Sequence, residues 1–428
     1  MKRTLFFVLL VQTVLVLTSG VPFREAIKSD PYNAAGNYHP YSVPAFSDTK
    51  APRGYKPFYV SHYGRHGSRF ITGTSSYLHN LEVLDTLGSL GLLSSGGEAL
   101  RQDLHLMRDA HDGQEGILTQ VGSREHQGIS RRLYSRAGRI FRQKDRRKVL
   151  AQSSPITRCV QSAANFLDEL KALSPGLDIE LYSGERYRRF LSYDASGPQR
   201  DSLNRVVDAV VDSMTTSMFA SPETGKQLFN DIPAVKKILG QEPFEHFMYS
   251  LLHEASIAKC LDIDVDPFSH FTEEEIFSYG VAYNALVCYR FARSKESGHL
   301  RDTATGIPLL RDFIAKADEA LREDSRKCAD LRFGHDTGIG AFLSLVQVDG
   351  YDKTPSLAES YKVWPGYKYI PMGTNCQLIF YRNRKGDVLV KILRNEEETT
   401  IPAVPTYQGP YYRWKDLRAY FASLCEKD

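Results

Sequence analysis

The stretch Tyr59-Val60-Ser61-His62-Tyr63-Gly64-Arg65-His66-Gly67-Ser68-Arg69-Phe70 decides how this chain is read. The aromatic and β-branched run Phe58-Tyr59-Val60 has the composition of a strand, and the pattern ends it at Gly64. Two arginines, Arg65 and Arg69, then bracket His66. Gly67 is expected to let the backbone turn tightly and approach a ligand with no Cβ in the way. Ligands of open α/β sheets bind at the carboxyl ends of strands. A planar guanidinium on each side of an imidazole suits holding a phosphoryl group against a nucleophile. The plainer alternative is a basic loop with a surface histidine; the extended pattern R-H-G-x-R at a strand end favours the functional reading.

Around this stretch lie 428 residues, 42% hydrophobic and 25% charged, an ordinary globular composition for one large domain or two smaller ones. Formal net charge is +3, of which Lys2 and Arg3 supply two, so the rest is nearly neutral. General nucleic-acid binding is not suggested, and any basic site must be a local concentration. Lys2-Arg3, the apolar run Leu5 to Leu17 and the small residues Thr18-Ser19-Gly20 read as a secretory signal over residues 1–20. That run is short for a membrane span, and no other stretch is long enough for one, so an exported protein, periplasmic or secreted, is expected. The six cysteines, Cys159, Cys260, Cys288, Cys328, Cys376 and Cys425, form no C-x-x-C pair, which argues against structural zinc. Export permits disulfides in any of fifteen pairings; six buried thiols are the other option.

Residues 21–57 read as a long irregular lead-in. Helical spacing of Leu78, Leu81, Leu84 and Leu87 predicts a helix from Ser76 to Gly91, and a second from about Glu98 to Asp109. Thr119 is a good helix N-cap, with Ile129, Leu133 and Ile140 on one buried face, and the arginines from Arg124 to Arg147 read as a solvated face. Lys148 to Ser154 is a second buried strand; Ser154-Pro155 then suits a cap and first turn, placing Arg158 near the positive end of a helix dipole, a favourable anion site. From about Ser174 to Asp324 the periodicity is mostly helical and strand signals are scarce. Within it, Glu185-Arg186-Tyr187-Arg188-Arg189-Phe190 is either a solvated turn or a set of extra cations for a substrate with several phosphates. Ala329 to Phe333 resumes the sheet and runs into Gly334-His335-Asp336-Thr337-Gly338, and residues 377–381 and 388–393 form a late hairpin around Asn383–Asp387.

Four motifs carry a resemblance. Arg65-His66-Gly67-Ser68-Arg69 resembles the signature of the histidine acid phosphatases (histidine phosphatase superfamily, clade 2). Leu118-Thr119-x-x-Gly122 with His126 following is similar to a second signature. Ser154, Arg158, Ser162 and Ala163 match S-x-x-x-R-x-x-x-S-A in register. His335-Asp336 closes the pattern. The chain looks most like the multiple inositol polyphosphate phosphatase and phytase branch. That branch usually carries H-A-E where this chain has His335-Asp336-Thr337, the acid phosphatase and phytase form. The resemblance implies an α/β fold: a mixed, mostly parallel sheet flanked by helices, the histidine phosphatase or phosphoglycerate mutase-like core, over 21–173 and 325–428. A mainly helical insertion, 174–324, would cap the site.

The chemistry follows from the residue types. Arg65, Arg69 and Arg158, with His335, would neutralise phosphate oxygens and the charge of the transition state. His66 would attack in line and become a phosphohistidine, its other nitrogen fixed by a carbonyl. Asp336 would protonate the leaving oxygen and then activate water, which asks for a protonated carboxyl in the ground state and acidic conditions. Arginines supply the positive charge, so no metal or other cofactor is called for. The expected substrate is a small phosphate monoester, most simply an inositol polyphosphate, with Arg188 and Arg189 setting specificity. A broad-specificity acid phosphatase is the nearest alternative. A phosphoglycerate mutase-like enzyme and an inactive phosphate-binding protein are more remote.

Overall fold

The computed structural model describes residues 22–43, 48–191, 198–297 and 306–426, with side chains of the third segment from residue 204. The stretch read as an export signal lies outside them. In chain order, α1 (Phe23–Ser29) precedes β1 (Lys56–Arg65), α2 (Ser75–Ser89), α3 (Ser95–His111) and α4 (Gln120–Ala137). Then come β2 (Lys148–Ser153), α5 (Thr157–Leu173), β3 (Asp178–Ser183), α6 (Arg188–Leu191), α7 (Pro198–Met218), α8 (Ile232–Leu239), α9 (Phe244–Ala255), α10 (Glu273–Phe291) and α11 (Ile307–Leu321). The last part holds β4 (Lys327–Gly334), α12 (Asp336–Val346), the short α13 (Ser360–Val363) and α14 (Gly366–Tyr369), β5 (Asn375–Arg382), β6 (Val388–Arg394), β7 (Glu397–Thr399), β8 (Tyr411–Arg413) and α15 (Trp414–Cys425).

The strands form one mixed sheet in the order β3-β2-β4-β1-β5-β6-β7, with β8 paired to β6. Strands β3, β2, β4 and β1 are mutually parallel; β5 and its neighbours run antiparallel. Arg65 pairs with Gly334 and Ser153 with Phe333, so β1, β2 and β4 all end at one edge, where the direction reverses towards β5. Both faces are apolar because alternate residues point to opposite sides. Tyr59, Tyr63, Leu378 and Phe380 pack with the helical region and α10 to α12. Val60, Leu331, Phe333 and Ile379 pack against Ile129 and Leu133 of α4 and Phe166 and Leu170 of α5.

Several expectations need correction. β1 does not stop at Gly64 but runs on to Arg65. The lead-in is ordered structure: α1 is followed by a 3-10 segment, Pro31–Tyr38, capped by Asp30 and packed on α10. The edge strand β3 falls within the stretch where strand signals were scarce. Arg124 and Arg131 sit on the solvated face, paired with Asp262 and Glu169, but Arg132 bonds the fully buried Glu396 and Arg146 is itself buried. Ser154 does not cap α5: its N-cap is Ile156, with no side-chain bond. Cys159, Cys260, Cys288, Cys328 and Cys376 are buried free thiols, so none of these five is in a disulfide. Among the described residues no helix is long and apolar enough to cross a membrane.

Tyr63 ties the sheet to the turn that follows β4. Its hydroxyl accepts the His335 backbone N–H at 3.0 Å and faces the carbonyls of His335 and Leu191 at 3.2 and 3.3 Å. Glycines at 334 and 338 make room, since a Cβ at either would collide with that hydroxyl. Replacing Tyr63 by Phe leaves a buried N–H without its acceptor, a loss of about 1–3 kcal/mol. The variant should therefore unfold at lower denaturant with an unchanged slope, and an unaltered midpoint would contradict the role given to the hydroxyl.

Candidate active site

Arg65 is the last residue of β1 and has no exposed surface. Its Nη1 donates to the carbonyls of Asn37 and Ile370 at 2.7 and 2.9 Å, and its Nη2 lies 2.8 Å from Asp336 Oδ2. His66 follows, 2% exposed, with its Nδ1–H donating to the Gly67 carbonyl at 2.8 Å. That bond supplies the carbonyl partner expected from the sequence, and it leaves Nε2 as the bare nitrogen. Burial, and then the charges of Arg158 and Arg65, push the imidazole well below its ordinary pKa, so it is neutral. Arg69 is nearly buried; its Nη1 donates to the Phe70 carbonyl, and its guanidinium lies 5.2 Å from the ring centre of Tyr38.

The glycine between the arginines serves a different contact from the one its sequence suggests. A Cβ on Gly67 would stand 2.7 Å from the Gly122 carbonyl and 2.8 Å from Glu125 Oε2, so the close approach is to α4 rather than to a ligand. Glu125 is a buried carboxylate that accepts from Ser68 N and Oγ and from Tyr41 N at 2.7–2.8 Å. Thr119 caps α4 and bonds the Ser68 carbonyl through both its N–H and its hydroxyl. The second signature is thus a brace for the first: Thr119 and Glu125 hold the loop at Ser68.

Arg158 sits in the first turn of α5, as predicted, partly buried, with Nη2 3.4 Å from His335 Nδ1. Ser162, one turn on, accepts the Gly67 N–H at 3.1 Å. Ser154 lies 3.0 Å from His335 Nε2. Because a guanidinium only donates, His335 Nδ1 is the acceptor and Nε2–H bonds Ser154. Burial and Arg158 hold this imidazole down at about 3, and its ring faces that of His66 with centroids 5.5 Å apart. Cys159 Sγ also touches His335, at 3.4 Å from Nε2, but burial pushes its thiol up to about 12.

Asp336 opens α12, its Oδ1 accepting the Thr337 N–H at 2.9 Å and its Oδ2 the Asn37 amide at 3.2 Å. Burial raises its pKa, but Arg65, His335, Arg69 and the Asn37 bond outweigh burial and hold it below the usual carboxylate value. In the free protein Asp336 is therefore ionised, not protonated as the sequence reading required, because it is the counter-ion of Arg65. His66, Asp336, Arg65, Arg69, Arg158 and His335 come from three strand ends and converge on one centre. The Nε atoms of all three arginines are buried without a hydrogen-bond acceptor among the described residues, a cradle that fits a tetrahedral oxyanion.

Arg188 and Arg189 are placed differently. Arg188 is exposed and forms a bidentate pair with Glu185 at 2.7 and 3.1 Å. Arg189 lines a shallow pocket with Gln152, Asp312 and Lys316, which none of the six converging residues lines. Sequence reasoning missed Asn37, Tyr38 and Glu125. Asn37 and Tyr38 lie in a segment without periodicity, and nothing in a charged helix marks Glu125 as turned inward.

No family model and no curated protein matches this chain. Solved structures do. The Bifidobacterium longum multiple inositol polyphosphate phosphatase, in complex with inositol hexasulfate, superposes with a TM-score of 0.73 at 19% identity, over 91% of this chain and 98% of its own. The phytase from D. castellii gives 0.66 at 17% identity, over 93% and 86%. The Hafnia alvei phytase in its apo form gives 0.53 at 13% identity, over 88% and 98%. The fold is that of the histidine acid phosphatases, in the form adopted by inositol polyphosphate phosphatases and phytases.

An anion in the cradle should stabilise the protein. Inorganic phosphate at about a hundred times its Kd should add about 2.7 kcal/mol, raising the melting midpoint with the logarithm of its concentration. Arg158→Ala should abolish that rise while still folding. An equal rise in the variant would place the phosphate elsewhere.

Proposed function

We propose that this protein is an exported phosphomonoesterase that acts through a phosphohistidine and removes phosphate from inositol polyphosphates such as phytate. The observation that carries the reading is the state of His66: neutral, its Nδ1–H on a carbonyl, its Nε2 bare, among the guanidiniums of Arg65, Arg69 and Arg158. A phosphoryl group held by those arginines presents phosphorus to Nε2. The P–N bond forms as the P–O bond to the leaving alcohol breaks, and the leaving oxygen takes a proton from Asp336. Water then attacks phosphorus, Asp336 takes its proton, and His66 and inorganic phosphate are released. The anion also offsets the positive field that keeps His335 neutral, so His335 can protonate and donate to a phosphate oxygen. The fold supports the substrate class, and the N-terminal run of Lys2-Arg3 and Leu5 to Leu17 supports export.

A second reading, a broad-specificity acid phosphatase, is favoured by one observation: the exposed Arg188–Glu185 pair, which draws one of the two proposed specificity arginines into a local contact. The two readings separate on the ratio of kcat/KM for inositol hexakisphosphate to that for p-nitrophenyl phosphate. The inositol polyphosphate reading expects the ratio to favour the former, and to fall in the double variant Arg188→Ala, Arg189→Ala. His66→Ala should abolish turnover of both. More than a few per cent of remaining activity would refute the nucleophile, and an inactive wild-type protein that still binds phosphate would leave a binding module.

The pH dependence follows from the same charges. With Asp336 ionised in the free protein, the transferable proton arrives with the ester, whose second ionisation lies near pH 6. Above that, neither partner carries the proton, and kcat/KM should fall about tenfold per pH unit. Towards acid, His66 stays unprotonated because its pKa is far below the ordinary imidazole value. The rate should therefore hold between about pH 6 and pH 5, where an ordinary imidazole would be mostly charged. A steep loss over that interval would contradict a neutral nucleophile.

A further inference from the structure

We propose that Asn37 is a positioning residue for proton transfer: its side-chain amide holds Asp336 so that Oδ1, not Oδ2, carries the proton. The inference rests on the phosphomonoesterase reading. Asn37 belongs to the lead-in, 299 residues away from Asp336 in sequence, and is 7% exposed. It is delivered by Gly36, whose φ of 54° and ψ of −121° break the 3-10 segment. A Cβ on Gly36 would stand 3.0 Å from the Tyr283 ring, so glycine is needed for both the conformation and the approach.

Three bonds fix Asn37. Its carbonyl accepts from Arg65 Nη1 at 2.7 Å, its Oδ1 accepts the Tyr283 hydroxyl at 2.6 Å, and its Nδ2 donates to Asp336 Oδ2 at 3.2 Å. The amide orientation is forced, because the flipped form would set its oxygen against an ionised carboxylate. Tyr283 is held in turn by α10, stacked on Tyr279 with ring centres 5.5 Å apart. A buried helix that reaches no substrate atom thereby sets the angle of the acid.

A carboxylate offers about two acceptor positions on each oxygen. On Asp336, Oδ2 accepts the Asn37 amide at 3.2 Å and has the positive charge of Arg65 Nη2 2.8 Å away, and both disfavour a proton on that oxygen. Oδ1 accepts the Thr337 N–H, which leaves one position. The proton that arrives with the ester binds there, passes to the leaving oxygen as the P–O bond breaks, and is replaced on Oδ1 by one from the water that cleaves the P–N bond. The charged and titratable groups acting on this carboxyl are Arg65 and Tyr63 from β1, Arg69 from the loop, Arg158 and Cys159 from α5, and His335. Asn37 is the neutral donor among them, so its removal changes the geometry without removing a charge.

The test uses the full chain with glycerol 2-phosphate, whose alkoxide leaves poorly, and p-nitrophenyl phosphate, whose phenolate needs little protonation. Asn37→Ala should lower kcat for the first about tenfold, the worth of one hydrogen bond to a charged group, with KM nearly unchanged, and should largely spare the second. It should also move the alkaline limb of kcat, which reports the proton on Asp336 in the bound complex, to higher pH, since a donor to the ionised carboxyl is lost. Tyr283→Phe, which keeps Asn37 but frees its amide, should shift both readouts the same way by less, and it decides the matter if Asn37→Ala fails to fold. Equal losses for the two esters, a rise in KM alone, an unmoved pH limb or no change at all would each overturn the role. If the wild-type protein hydrolyses neither ester, the phosphomonoesterase reading falls first and the inference with it.

Discussion

Three guanidiniums converge on one buried imidazole, and the rest of the structure answers to that arrangement. Burying cations without partners is costly. Here the charge is distributed over backbone carbonyls of Asn37, Ile370, Phe70 and Gly116, and over one carboxylate, Asp336. The guanidinium edges left unsatisfied are those an oxyanion fits. Burial, and then the same arginine charges, hold His66 neutral, so in the proposed reaction anion binding and the bare nitrogen would share one site. The acid-range phosphomonoesterase proposed here would need this, because conditions that protonate the leaving group would also protonate an ordinary histidine.

The architecture keeps those charges close. Parallel pairing of β2, β4 and β1 brings three strand ends to one line, and each contributes one part: the His66 loop, Arg158 on the first turn of α5, and the His335-Asp336 turn. The supports lie behind them. Glu125 of α4 and its cap Thr119 hold the His66 loop at Ser68, Ser162 holds Gly67, Ser154 holds His335, and Tyr63 holds the turn after β4. The lead-in closes the remaining side through Asn37 and Tyr38.

The six converging residues were legible in sequence because each sits where a strand run breaks into glycine, serine or proline, a local signal independent of tertiary packing. Most helices were legible from period 3.6 in leucine. What was not legible depends on partners far along the chain. Asn37 acquires its role only when Arg65, Tyr283 and Asp336 meet around it. The edge strand β3 is half-exposed, with Leu181 and Tyr182 facing solvent, so it lacks the apolar run that marked β2. Arg132 and Arg146 look like any surface charge until Glu396 and the carbonyls of Ala320 and Arg322 are seen beside them. The protonation of Asp336 was misread for the same reason: its pairing with Arg65 spans 271 residues.

The central claim is that burial, together with the arginine field, keeps His66 neutral, with its proton on Nδ1, at pH values where free imidazole is charged. Nitrogen-15 NMR of the histidine-labelled protein, with His66→Gln to assign the resonance, measures this directly. The account predicts a protonated Nδ1 and a bare Nε2 for His66 that persist unchanged from neutral pH down to about pH 5, below the ordinary imidazole value near 6.5. A resonance that titrates to the doubly protonated form near pH 6.5, or a proton found on Nε2, would contradict it.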